Sequence, residues 1–141
     1  MANREEKRNL ETIPVGSLGI ISLPGCKPLG EKVDQYLVKW RAERESEHKE
    51  SLAFAGYQRE SYLLDAKVPR FGSGEAKAVI NESVRGADLF AMVDVTNYSI
   101  PYSVCGYTNH MSPDDHFQDL KRVIAAAAGK ARRINVIMPF L

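Results

Sequence analysis

Apolar residues in this chain fall into short continuous runs, separated by two stretches in which they recur every three or four positions. The alternation predicts strands interleaved with amphipathic helices. Leu18 to Leu23 (LGIISL) is short and β-branched and is closed by Pro24-Gly25, so it predicts a buried strand feeding a loop. Val33, Tyr36, Leu37 and Trp40 then recur at helical spacing, with Glu31, Lys32, Asp34, Gln35 and Lys39 between them. This predicts a helix from Leu29 to about Arg44 that packs the first set on a sheet and turns the second to water. From Arg41 to Ser51 the charges alternate in sign, which extends that helix into solvent.

Tyr62 to Val68 and Glu75 to Ile80 are strand-like, and Gly72 and Gly74 mark a turn between them, so a hairpin-like pair is expected. Ala87 to Val95 and Ile134 to Leu141 are near-continuous apolar runs, the pattern of strands covered by helices on both faces of a parallel sheet. Between them Ser112 offers an N-cap, Pro113 the first helical position, and Asp114 and Asp115 acids in the first turn. Phe117, Leu120, Val123, Ile124 and Ala127 form the stripe of this helix, Arg122 complements its dipole, and Gly129 stops it after the tetra-alanine Ala125 to Ala128. Thr96 to Met111 is a long polar and tyrosine-rich loop leaving the carboxyl end of a strand, where open α/β sheets bind ligands. The final apolar run ends without a cap or polar tail, so further chain is expected beyond Leu141.

Composition narrows the class without choosing a function. A chain of 141 residues with a 44% hydrophobic share suits one domain, here 18–141 behind a charged extension over 1–17. With 19 Lys and Arg against 18 Asp and Glu, the net charge of +1 supplies no field for nucleic acid or membrane, leaving Lys130 to Arg133 as a local basic cluster. Two cysteines, Cys26 and Cys105, make no disulfide framework, which points to a reducing, cytoplasmic setting. The amino terminus lacks a signal-peptide core, and no apolar run is long enough to span a bilayer.

Several chemistries are disfavoured by spacing. Gly72-Ser73-Gly74-Glu75-Ala76-Lys77 lacks the Walker spacing and links two strands instead of opening a helix. Asp94 ends an apolar strand, but Val95-Thr96-Asn97-Tyr98 lacks the adjacent acids and Thr-Gly-Gly turn of a phosphoribosyl-diphosphate strand. His48, His110 and His116 are scattered and read as surface histidines, so no metal site is expected. Ser103 and Cys105 have no base at a readable spacing.

One joint pattern stands out: Arg70-Phe71-Gly72-Ser73-Gly74-Glu75, then Ala78-Val79-Ile80-Asn81-Glu82-Ser83-Val84-Arg85-Gly86, then the strand Ala87 to Val95. It resembles the amino-terminal domain of ribose-phosphate pyrophosphokinases, the phosphoribosyl-diphosphate synthases. There an R-F-x-D/N-G/Q-E loop precedes a strand, E-S-V-R-G and a further apolar strand. AKARRINVIMPF is similar to a later helix-to-strand element of that domain, and Asp115-His116-Phe117 with Asp119-Leu120 to its N-D-N/H-L-M-E-L helix start. The resemblance covers roughly Gly19 to Leu141. Ser73 departs from the family's Asp or Asn, and Arg41 to Arg59 and Thr96 to Met111 are longer than usual.

The resemblance implies an α/β fold of phosphoribosyltransferase-like type I, a mostly parallel sheet flanked by helices with a hairpin-like loop carrying the nucleotide contact. The family moves the diphosphoryl group of ATP to ribose 5-phosphate with magnesium, giving phosphoribosyl diphosphate and AMP for nucleotide biosynthesis. By the same resemblance Phe71 stacks on the adenine of a neighbouring subunit's ATP, Glu75 accepts from its amino group, and Ser73 adds a weaker hydrogen bond. Alone, Phe71 reads as a core filler. Ser83 and Arg85 match positions that bind regulatory phosphate, a site at which phosphate activates and ADP can inhibit. The family's basic catalytic loop, magnesium ligands and ribose-phosphate strand lie beyond the equivalent of Leu141, so this chain is expected to hold no catalytic residue and to be inactive alone. A homo-oligomer is implied, the family assembling as a hexamer. The rival expectations are a non-catalytic regulator that assembles with a true synthase, and a generic α/β binding module.

Overall fold

The computed structural model describes residues 14–47 and 58–140. Strand β1 (Leu18–Ser22) is followed by a 3-10 turn at Pro24–Cys26 and helix α1 (Lys27–Ser46). Two short strands, β2 (Ala66–Lys67) and β3 (Val79–Ile80), precede β4 (Asp88–Met92). Strands β5 (Pro101–Val104) and β6 (Tyr107–His110) lead to helix α2 (Pro113–Ala127) and strand β7 (Arg133–Ile137). The α/β reading holds: β1, β4 and β7 form a parallel sheet in that order, with Ile20 beside Phe90 and Phe90 beside Asn135.

Tyr62 to Leu64 lies on the other edge of β1, since the Ile20 N–H donates to the Tyr62 carbonyl at 2.8 Å and the Leu64 N–H to the Ile20 carbonyl at 2.8 Å. The first half of the expected hairpin therefore starts as a parallel neighbour of β1. From Ala66 on, the two arms pair antiparallel, Ala66–Lys67 with Val79–Ile80 and Arg70 with Ala76 nearer the turn. From β1 the chain passes through α1 to one side and later reaches β4 on the other, so the two helices cover opposite faces. Ile20, Cys26, Tyr62 and Met92 pack beneath α1; Ile21, Leu23, Leu89, Ala91 and Val93 pack with Leu120, Val123 and Ala127 of α2. Alternate residues of β1 and β4 thus fill two cores, as a strand's two-residue period requires.

Helix α1 buries a different line from the expected one. Gly30 lies against β1 so closely that a Cβ there would sit 2.5 Å from Ser22 Oγ. Asp34, expected in water, is buried because it accepts from Ser61 Oγ at 2.8 Å and the Tyr62 N–H at 2.6 Å. These contacts turn Tyr36 and Trp40 outward, 58% and 56% exposed, while Val33 and Leu37 stay against the core. Beyond Glu47, the expected extension and His48 lie outside the described residues.

Helix α2 begins with a full capping box: the Asp115 N–H donates to Ser112 Oγ, and the Ser112 N–H donates back to Asp115 Oδ2 at 2.9 Å. Its buried line is His116, Asp119, Leu120, Val123 and Ala127. His116, expected at the surface, is 0% exposed, whereas Phe117, expected in the stripe, is 48% exposed. Arg122 serves Asp119 one turn back instead of the last carbonyls.

Thr96 to Met111 is not an open loop, because β5 and β6 pair across Cys105 and Gly106, whose φ values are 51° and 83°. Strand β7 is less covered than its apolar sequence suggested, with Val136 44% and Ile137 39% exposed, since among the described residues it pairs with β4 alone. Among the described residues no helix is long and apolar enough to cross a membrane.

At the amino end of the sheet Arg133 Nε donates to Asp88 Oδ1 at 2.8 Å and Asn135 Nδ2 to the same oxygen at 2.9 Å. The bond from Arg133 holds the Asp88 carboxyl below the usual carboxylate range, against the effect of burial. A carboxylate depressed by folding stabilises the native state above its unfolded pKa, and that stabilisation is lost as pH falls through the folded value. Asp88→Asn is therefore expected to be less stable than wild type at neutral pH. Its urea midpoint should fall less steeply between about pH 5 and pH 2. Parallel acid limbs in the two proteins would count against this linkage.

Candidate functional site

The turn between the arms that carry β2 and β3 is tight. The Phe71 N–H donates to the Glu75 carbonyl at 2.7 Å and the Gly74 N–H to the Phe71 carbonyl at 2.9 Å, while Arg70 bridges Ala76 below. Gly74 has φ +91°, a conformation open to glycine but strained for other residues. The turn places Phe71 and Glu75 opposite one another at its base with Ser73 at its tip. All three are exposed, and Phe71, at 45%, is not a core filler. An aromatic face and a carboxylate acceptor on one stiff turn can take a flat, amino-bearing ring.

Beneath the turn is a buried ionic cluster. Arg70 donates to Asp119 Oδ2 at 2.8 Å and Arg122 to Asp119 Oδ1 at 2.7 Å; the Arg70 and Asp119 side chains are 8% and 5% exposed. Burial pushes the Asp119 carboxyl up, and the two guanidiniums pull against that rise. Arg70 Cζ also lies 4.7 Å from the centroid of the Tyr102 ring in β5. Cys105 Sγ, in the turn between β5 and β6, donates to the Gly72 carbonyl at 3.0 Å. Both cysteines are free, and burial raises the pKa of Cys26.

Ser83 and Arg85 are both exposed, on either side of the buried anchor Val84. The Arg85 N–H points to Ser83 Oγ at 3.4 Å, and Gly86, at φ +72°, turns the chain into β4. The Gly86 N–H donates to the Lys130 carbonyl at 2.9 Å and the Arg132 N–H to the Ala87 carbonyl at 2.8 Å. The basic cluster singled out in the sequence therefore runs beside the Ser83–Arg85 turn. Glu82 faces elsewhere, ion-paired to Arg59 at 3.1 Å.

The two predicted groups are not one site. Ser83 and Arg85 lie at the amino end of β4, while Phe71, Ser73 and Glu75 occupy the far turn of the β2–β3 arms. The crevice between the carboxyl ends of β1 and β4, a usual ligand position in open α/β sheets, is packed by the chain itself. There Asn97 Nδ2 donates to the Gly25 carbonyl at 3.2 Å and His116 Nε2 lies 2.7 Å from the Asn97 carbonyl. Among the described residues no group of three or more His, Cys, Asp or Glu could hold a metal ion.

The cluster of Arg70, Tyr102, Asp119 and Arg122 was missed as a unit. Its one sequence signal is an aspartate inside the apolar stripe of α2 with an arginine one turn on; Arg70 and Tyr102 are 49 and 17 residues away.

Comparison with known proteins follows the same elements. The family description of the N-terminal domain of ribose phosphate pyrophosphokinase matches residues 18–141. Ribose-phosphate pyrophosphokinase of Haemophilus influenzae is 37% identical over 78 residues, 55% of this chain and 21% of that protein. The matched stretch thus spans about a fifth of that relative's length. No solved structure matches the chain significantly.

Asp119→Ala would leave two guanidiniums without their shared counter-ion in a low-dielectric interior. It is expected to cost about 3 kcal/mol in urea unfolding. A change below about 0.5 kcal/mol, the range of ordinary surface substitutions, would show that the cluster is not buried in solution.

Proposed function

This chain belongs to the family of ribose phosphate pyrophosphokinase N-terminal domains, and from that premise we propose that it is the nucleotide- and effector-facing part of such an enzyme. The whole protein would transfer the diphosphoryl group of ATP to ribose 5-phosphate, giving phosphoribosyl diphosphate and AMP. The observation that carries the reading is the joint exposure of Phe71 and Glu75 on a turn closed by a 2.7 Å hydrogen bond. Phe71 would offer its ring to the purine of a neighbouring subunit's ATP, Glu75 would accept from the exocyclic amine, and Ser73 would add a hydroxyl. Ser83 and Arg85, flanked by the Lys130 to Arg133 stretch, would take the phosphate of an activating or inhibiting effector.

Phosphoryl transfer is driven by positioning and charge neutralisation more than by covalent help. The described residues supply positioning only. They bring together no acidic or histidine cluster able to ligate magnesium, so no step of the transfer is assigned to them. By the family resemblance the catalytic elements lie beyond the equivalent of Leu141, so the chain alone is proposed to be inactive, within a homo-oligomeric cytoplasmic enzyme. A regulator that binds nucleotide without catalysis is the second reading, favoured by Ser73 in place of the family's Asp or Asn.

Titration of the 141-residue chain with ATP, followed by the ring-proton shifts of Phe71, tests the purine assignment. Phe71→Ala is expected to weaken saturable binding about ten-fold, the scale of one lost stacking contact. Glu75→Ala is expected to reduce the preference for adenine over purines that lack the amino group. Unchanged ATP affinity in Phe71→Ala would remove the reading.

A further inference from the structure

The Phe71–Glu75 turn is held from outside its own hairpin. Tyr102 lies against the Arg70 guanidinium at 4.7 Å, and the Cys105 thiol reaches the Gly72 carbonyl at 3.0 Å. The residues before and after Phe71 are thus each engaged by a residue of the β5–β6 hairpin. Neither contact serves the hairpin's own pairing, which runs from Pro101 beside His110 to Val104 beside Tyr107. Cys105 moreover adopts φ 51°, where glycine or asparagine is usual, in the conformation whose thiol meets Gly72. The turn's own hydrogen bonds, Phe71 N–H to the Glu75 carbonyl and Gly74 N–H to the Phe71 carbonyl, close it internally, and these two contacts fix it from outside.

We infer that the Pro101–His110 hairpin is a positioning element for the Phe71–Glu75 turn, with Tyr102 and Cys105 as its positioning residues. The geometry stands by itself; its use in nucleotide binding rests on the purine reading above. Arg70 is the link. Its guanidinium is ion-paired to Asp119 and lies over the Tyr102 ring, so the residue preceding Phe71 is held by two partners. A turn ordered in advance does not lose conformational freedom when the nucleotide arrives, and the hairpin thereby raises affinity without touching the ligand.

The test uses the whole chain with Tyr102→Leu, Tyr102→Phe and Cys105→Ala, read by amide hydrogen exchange and by ATP titration. Tyr102→Leu is expected to speed exchange at Phe71 and Gly74 about ten-fold, with β4 and α2 unchanged. Its ATP affinity should fall about three-fold or more. Tyr102→Phe keeps the ring face and should match wild type in both measurements. Cys105→Ala, which removes the thiol alone, should give a smaller rise at Phe71 and Gly74. Exchange unchanged in Tyr102→Leu, or raised equally in β4 and α2, would overturn the inference. So would local loosening with unchanged affinity in a chain that binds ATP. Local loosening in a chain that shows no ATP binding even as wild type would leave the brace in place and remove the purine reading instead.

Discussion

The carboxylate of Asp119 ties helix α2 to the arm before Phe71 and, through Arg70, to the β5–β6 hairpin. It projects from α2, accepts from Arg70 at 2.8 Å and from Arg122 at 2.7 Å, and is 5% exposed as a side chain. Withdrawing Asp119 would strand the charges of Arg70 and Arg122, a stronger constraint than the net attraction of the cluster. The arm before Phe71, helix α2 and, through the Tyr102 ring, the β5–β6 hairpin are consequently held as one body. The same constraint sets the rotation of α2. With Asp119 inward, His116 and Val123 must also face inward, and Phe117 is left at the surface beside Lys121.

Topology explains why the exposed chemistry lies where it does. The chain leaves β1 toward Tyr62 to Leu64 on one side and reaches β4 on the other, which would ordinarily open a ligand crevice between their carboxyl ends. Here Gly25, Asn97 and His116 pack that crevice with their own hydrogen bonds. The outward-facing polar groups are instead displaced to the β2–β3 turn and to the turn entering β4. Both turns expose their polar side chains.

The Phe71–Glu75 turn holds an exposed ring and an exposed carboxylate on one closed bend. Its ring and carboxylate can discriminate a base by shape and hydrogen bonding, and its stiffness comes from charge and packing beneath it. The long Thr96 to Met111 segment folds into a hairpin whose Cys105 thiol reaches the Gly72 carbonyl of that turn.

Local order was readable wherever neighbouring residues decide it. Strands β1 and β4, the Ser112 capping box with Pro113, and the stop at Gly129 follow from apolar runs, caps and a residue suited to φ +74°. Phe71, Ser73, Glu75, Ser83 and Arg85 are legible from motif order, and all five are exposed. The side of each helix that is buried was not readable to within a residue. Asp34 and Asp119 are polar letters that become interior only when Ser61, Tyr62, Arg70 and Arg122 arrive to satisfy them. Nor did a tyrosine-rich segment announce that it would fold into a hairpin against a turn some 30 residues away. Periodicity and caps act over one or two turns of chain and are written in adjacent letters. Burial of a charge depends on partners that are distant in sequence, and only the folded chain brings those together.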